Sequence, residues 1–237
     1  MRLALSIGFT GFAFIALIAL GTWQAERLIW KQNLQAQIIA RTHSAPLEIK
    51  NAADIASLRE DTHHYRRARL YGAFADKTLY WFTQINNKPA SLATIDKVGY
   101  HILQPFILAD GTAIAIDRGF IPARLKGKPP REIKDTSIEV ILRWADKRNW
   151  FSAGDNLAQE TLYVRDSDVM SRYWQVALPA VLGEVTTATR TPPYGNQSRL
   201  TLPNKHFGYM ITWFSLAGIL VIISLLWHIR ERKQAQG

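Results

Sequence analysis

Two long uncharged apolar runs, one near each end, constrain this chain more than anything between them. Residues 3–25 read LALSIGFTGFAFIALIALGTWQA and residues 207–227 read FGYMITWFSLAGILVIISLLW. Each is long enough to cross a hydrocarbon core of about 30 Å as a helix. Inside a bilayer no water pairs the backbone, so an isolated crossing segment must satisfy its own N–H and C=O groups. The first run has a rival reading as a cleaved signal peptide. Such a peptide carries an apolar core of about 7–15 residues followed by small residues at the cleavage site. This run is longer and ends in Gly21-Thr22-Trp23 with no A-x-A, so it reads as an uncleaved anchor.

The charges give an orientation. His228, Arg230, Arg232 and Lys233 follow the second run, and basic flanks favour the cytoplasmic side. Two spans then place both termini in the cytoplasm and the middle outside. The formal net charge is +10; Arg2 supplies one and the tail two, which leaves +7 between them. The middle is too long for its own charge to set topology. A basic domain between two spans favours lipid headgroups or an anionic cofactor over nucleic acid, for which no motif is present. The absence of cysteine excludes disulfides, iron–sulfur clusters and C-x-x-C-H haem attachment. Of the eight tryptophans, Trp23, Trp30, Trp213 and Trp227 lie near the ends of the apolar runs, where interfacial anchors belong.

The expected architecture is a membrane α+β protein. The first transmembrane helix covers 3–25 and continues to about 40, because Leu28, Leu34 and Ile38 keep a helical spacing. A β-rich extracytoplasmic domain covers 41–203. The second transmembrane helix covers 206–228, and a basic cytoplasmic tail covers 229–237. Alternation marks strands at 65–74, 78–83, 100–108, 112–118, 138–144 and 160–164. Asp110-Gly111 is a hairpin-turn dipeptide. Ser167 or Asp166 caps a short helix over 166–173. The segments 122–131, basic and Pro-rich, and 189–199 read as loops.

Candidate site residues cluster at the ends of the spans. At 100° per residue His206, Tyr209, Met210, Trp213 and Ala217 share one helix face. An imidazole there can ligate a haem iron or a transition metal; an interfacial polar residue beside an aromatic anchor is the commoner use. Trp23, Arg27 and Trp30 share a face of the first helix. Arg27 with Lys31 suits carboxylates such as haem propionates, or plain interfacial anchoring. His63 and His64, adjacent in sequence, point apart and read as the start of a basic strand. His43 and His101 stand alone and receive no role. Asp117-Arg118-Gly119 reads as a turn with a satisfied ion pair rather than a surface charge cluster. No nucleotide loop, H-E-x-x-H, G-x-S-x-G or carboxylate pair is present, which points away from an enzyme.

Three blocks carry a resemblance: GTWQAERLIWK at 21–31, VGYHILQPFILADGTAIAIDRGFIP at 98–122 and PPYGNQSRLTLPNKHFGYMITWFSLA at 192–217. In order and spacing the chain resembles the surfeit locus protein 1 family, the cytochrome c oxidase assembly factors. The resemblance implies two helices beside a β-rich domain on the periplasmic side of a bacterial inner membrane. It implies a role in the respiratory chain: delivering or inserting haem a into subunit I of a haem–copper oxidase, with haem A synthase as a possible second partner. The alternative is a scaffold that stabilises a subunit I intermediate without binding haem. A haem-modifying enzyme would need paired intramembrane histidines, which are missing. On the resemblance His206 is the haem iron ligand, the haem being transiently held, and Tyr209 and Trp213 match family positions on the same face; Arg27 or Lys31 would then add a cation to the cofactor site. Gly99 matches a family glycine. The family usually has two asparagines before the histidine, where this chain has Asn204 and Lys205. At Asp117 relatives often carry Asn.

Overall fold

The structure is a computed structural model that describes residues 2–84, 96–128, 136–189, 191–196 and 202–234. Residues 129–131 of the basic loop, 190 and 197–199 of the second loop, and 235–237 of the tail lie outside the described residues. The chain forms two compact units, Met1–Gln37 with Leu200–Gly237, and Ile38–Arg199.

The first unit contains helix α1 (Arg2–His43) as far as Gln37, and helix α5 (His206–Gln234). Both are long and apolar enough to cross a membrane. At 1.5 Å per residue the 42 residues of α1 extend roughly 63 Å, about twice a hydrocarbon core. Polar side chains within the apolar stretches bond to their own helix. Thr22 Oγ1 donates to the Ile18 carbonyl and Thr212 Oγ1 to that of Gly208, both at 3.0 Å. Such local bonds let a hydroxyl sit where no water is available.

The second unit is built on an eight-stranded sheet: β1 (Leu47–Ile49), β2 (Arg67–Phe74), β3 (Leu79–Gln84), β4 (Val98–Leu108), β5 (Ala113–Pro122), β6 (Ser137–Trp144), β7 (Thr161–Leu162) and β8 (Val181–Val185). Their order is β1-β2-β6-β8-β5-β4-β3-β7, and a further β2–β4 pairing closes β2, β6, β8, β5 and β4 into a barrel. Closure removes the open edges of those strands. Alternate residues point inward, so Leu70, Phe106, Ile114, Ile116, Val140 and Leu142 fill the interior. The outer face of β5 and β8 is covered by α4 (Ser167–Trp174), whose Met170 and Trp174 pack with Leu103, Ala115 and Leu182. Asp166, not Ser167, caps α4, accepting from the Asp168 and Val169 amides. The Asp110-Gly111 turn forms as its sequence suggests: Gly111 takes φ +86°, and Asp110 accepts from the Thr112 amide at 2.9 Å.

Asp117-Arg118-Gly119 corrects its reading. It is neither a turn nor a surface cluster, because β5 runs on to Pro122 and buries Asp117 and Arg118. In the parallel register of β5 and β8, Asp117 lies opposite Glu184. Two neighbouring carboxylates, one buried and one largely so, repel unless a cation joins them. Arg165 does so, with 5 % of its side chain exposed: it donates to Glu184 at 2.6 Å and Asp146 at 3.1 Å, stands 4.0 Å from Asp117, and stacks on Trp81. His101, left without a role on sequence, donates its Nδ1–H to Asp117 at 2.7 Å. Gly99 lies under the Phe120 ring, where a Cβ would stand 2.1 Å from the Ile121 carbonyl.

His64 is also misread as part of a basic strand start. It stacks on Tyr65, and burial followed by the nearby Arg143 guanidinium pushes its imidazole down to about 4.

Two outcomes are expected. Arg165→Met leaves charge buried without its main partner and costs about 3–5 kcal/mol, measured by denaturant unfolding of the detergent-solubilised chain. For His64, the folded imidazole stays neutral down to about 4 whereas the unfolded one takes its proton near 6.5. Between those values the unfolded chain binds more protons, so stability falls as pH falls through that window. His64→Phe keeps the ring stack and should flatten that part of a Tm-versus-pH curve; an unchanged slope would refute the assignment.

Candidate functional site

The less exposed positions of α1 include Phe14, Leu17, Gly21, Gln24, Leu28, Lys31 and Gln35, a set spaced alternately by three and four. On α5 the same spacing links His206, Met210, Trp213, Ala217, Leu220 and Ser224. This is the pattern of two helices that turn one stripe toward each other. Gly21 permits the approach: a Cβ there would stand 2.5 Å from the Phe214 ring. Three residues on, Gln24 Oε1 meets His206 Nδ1 at 2.7 Å. Further along, Gln35 Oε1 accepts from the Leu202 amide at 2.7 Å. Positions rise on α1 as they fall on the other segment, so the two run antiparallel.

His206 is the first residue of α5 and is partly buried. Its N–H starts the helix with a bond from its amide to Asn204 Oδ1 at 3.3 Å. The imidazole lies edge-on to Trp23, ring centroids 6.5 Å apart. Arg27 lies against the rings of both Trp23 and Trp30, at 5.7 and 5.2 Å, and Lys31 reaches Trp30 at 6.0 Å. The i, i+4, i+7 face read from sequence is thus one stack of indole, guanidinium, indole, beginning beside the imidazole. Cation–π attraction at these distances favours the guanidinium beside the two rings.

The structure separates the residues expected to share a face. His206 and Trp213 lie on the stripe turned toward α1. Tyr209 does not: at three residues from His206 it is rotated to the flank and is 54 % exposed. Trp213 differs from an outward-facing interfacial anchor, because its indole N–H is buried and has no hydrogen-bond partner among the described residues. Trp23 and Trp30 remain exposed.

Sequence reasoning passed over Gln24 and Gly21. The signal for Gln24 was present: an amide in an uncharged apolar run needs a partner. Which partner it finds depends on the packing of α5, which one sequence does not display.

This set of groups combines a nitrogen donor, apolar aromatic surface and a cation. His206 offers an imidazole, the neighbouring indoles offer apolar surface, Arg27 offers a cation, and Trp213 holds an unused donor. Among the described residues no group of three or more His, Asp or Glu side chains could hold a bare metal ion.

Comparison with known proteins places the chain among relatives. The profile described as SURF1 family matches residues 11–218. Surfeit locus protein 1 of Gallus gallus is 28% identical over 225 residues, covering 88% of this chain and 70% of its own length. The SURF1-like protein of Monosiga brevicollis is 29% identical, with 92% and 85% covered. Surfeit locus protein 1 of Homo sapiens is 26% identical, with 90% and 73% covered.

The helix approach has a direct test. Gly21→Leu is expected to push α5 away and cost about 1–3 kcal/mol, with Gly21→Ala intermediate. The chain has no cysteine, so spin labels at Thr22→Cys and Ser215→Cys report only this pair. Their distance should lengthen in the leucine variant; an unchanged distance and Tm would show that Gly21 is not a contact position.

Proposed function

The chain belongs to the SURF1 family, and from that membership we propose that it is a membrane assembly factor for a haem–copper cytochrome c oxidase, one that holds haem a for insertion into subunit I. The proposal includes the setting: a bacterial inner membrane with the β-rich domain in the periplasm, both termini cytoplasmic, and haem A synthase as a possible donor. It assigns no chemical transformation to the chain.

One observation supports haem binding above all. The His206 imidazole stands where α5 begins, with Nδ1 bonded to Gln24 and Nε2 without a hydrogen-bond partner among the described residues. A haem presents an iron able to accept one such nitrogen. Exposed Trp23 and Trp30 supply apolar surface beside the imidazole. Arg27, stacked between them, supplies a cation for a propionate. Tyr209 faces outward on the flank of α5, so its role is with a ligand or partner approaching that side.

The residues also fit a holding function rather than a permanent cofactor. A single histidine gives one strong ligand, and no second histidine lies at this level of either helix. His206 would be the one residue to hold the iron, and the bound group would remain transferable to an acceptor. The chain would thus hold its cargo firmly enough to escort it and loosely enough to release it.

The test is an optical spectrum of the full-length protein purified after co-expression with haem A biosynthesis. Wild type is expected to show bound haem a, and His206→Ala to lose most of it while remaining folded. Oxidase maturation that proceeds fully in His206→Ala, with no haem on the wild type, would replace this reading with the scaffold.

A further inference from the structure

We infer that Gln24 is the positioning residue of the His206 site: its side-chain carbonyl holds the imidazole in the Nδ1–H tautomer and so presents Nε2 as the ligating atom. The inference rests on the reading of His206 as an iron ligand and names the residue that prepares it.

A neutral imidazole carries one proton on either nitrogen, and the nitrogen that carries it cannot ligate. Gln24 Oε1 lies 2.7 Å from Nδ1 and can only accept. The proton is therefore on Nδ1, and the lone pair is on Nε2. Gln24 is 9 % exposed. A buried amide carbonyl keeps its direction, so the ring plane is fixed as well as the proton. The edge-on Trp23 ring limits rotation from another side. Gln24 and His206 come from different helices, 182 residues apart, so the tautomer is set only when α1 and α5 pack together.

The choice of acceptor also sets the strength of the ligand. Metal-bound histidines generally donate their second N–H to a carboxylate or a carbonyl, and the partner raises ligand basicity. A neutral amide raises it less than a carboxylate would. An amide at position 24 thus favours a defined but moderate bond to iron, as a transient cargo requires. The same logic accounts for a polar group on the packed stripe of an apolar helix, where leucine would bury more apolar surface: an amide in that setting is costly unless it is bonded.

The experiment uses the full-length chain in detergent micelles with ¹⁵N-labelled histidine, first without haem, at mildly alkaline pH. His206→Ala assigns the signal. Wild type is expected to show a protonated Nδ1 and an unprotonated Nε2. Gln24→Met, of similar length with no strong acceptor, should convert this to a mixture of tautomers. Gln24→Glu should restore the Nδ1–H form. Hemin titration of the same proteins should show affinity falling about 10–100-fold in Gln24→Met and held in Gln24→Glu. In the ferrous state the glutamate variant should also raise the iron–histidine stretching frequency in the Raman spectrum, a shift that a packing role would not produce. A wild-type His206 protonated on Nε2 would overturn the inference, as would an unchanged tautomer and affinity in Gln24→Met with Tm preserved. The underlying reading fails separately: if His206→Ala binds hemin as wild type does while the tautomer is as stated, His206 is no iron ligand although Gln24 still orients it.

Discussion

Hydrocarbon offers no hydrogen bonds, and both ends of this chain are shaped by that constraint. It forces α1 and α5 to be helical, sends Thr22 and Thr212 back onto their own backbones, and leaves Gln24 to find a partner across the helix pair. The partner is His206. A polar group that cannot be solvated becomes a directional link between two segments far apart in sequence. Gly21 and Ala217 contribute by being small, since a hydrogen bond across helices forms only where the backbones come near.

The β-rich unit meets the same constraint with charge. Closing the barrel puts β5 beside β8 in parallel and sets Asp117 opposite Glu184. That register would be unfavourable alone. Arg165 makes it tolerable by bridging carboxylates from β5, β8 and the segment after β6, while Trp81 covers the guanidinium. The cluster acts more as a specification of register than as a source of net stability, because slipping either strand by one residue would turn a buried carboxylate toward the apolar interior.

Legibility from sequence followed the range of the interactions. Asp110-Gly111 and the α4 cap at Asp166 were readable because a turn and a cap are settled within a few residues. The two spans were readable because length and lack of charge suffice. β1 and β8 were missed: one has three residues, and the other is interrupted by Gly183, whose Cβ would meet Ile116. His101 and Asp117 were misjudged because their meaning lies in strand pairing 16 residues apart. In the helix pair, Arg27 and its two indoles were found because they share one helix. Gln24 escaped because its partner lies on the other. Tyr209 was grouped with His206 because a face about 100° wide admits it, whereas the packed stripe is narrower.

The irregularities of the helix pair also lie close together. A pair selected only for cohesion would place apolar residues at 24, 206 and 213. This one has an amide, an imidazole, and an indole whose buried N–H lacks a partner among the described residues. An unmet buried donor costs on the order of 1–3 kcal/mol. Gln24 meets His206, two α5 turns from Trp213, and both lie on the stripe that also carries Met210 and Ala217. Departures from good packing that gather at one end of a contact are expected where a surface is kept for something other than itself. By that argument the end of α5 that begins at His206 is the end whose residues cohesion alone does not explain, whereas the stretch from Leu220 onward, apolar through Trp227 apart from Ser224, is explained by residence in the bilayer.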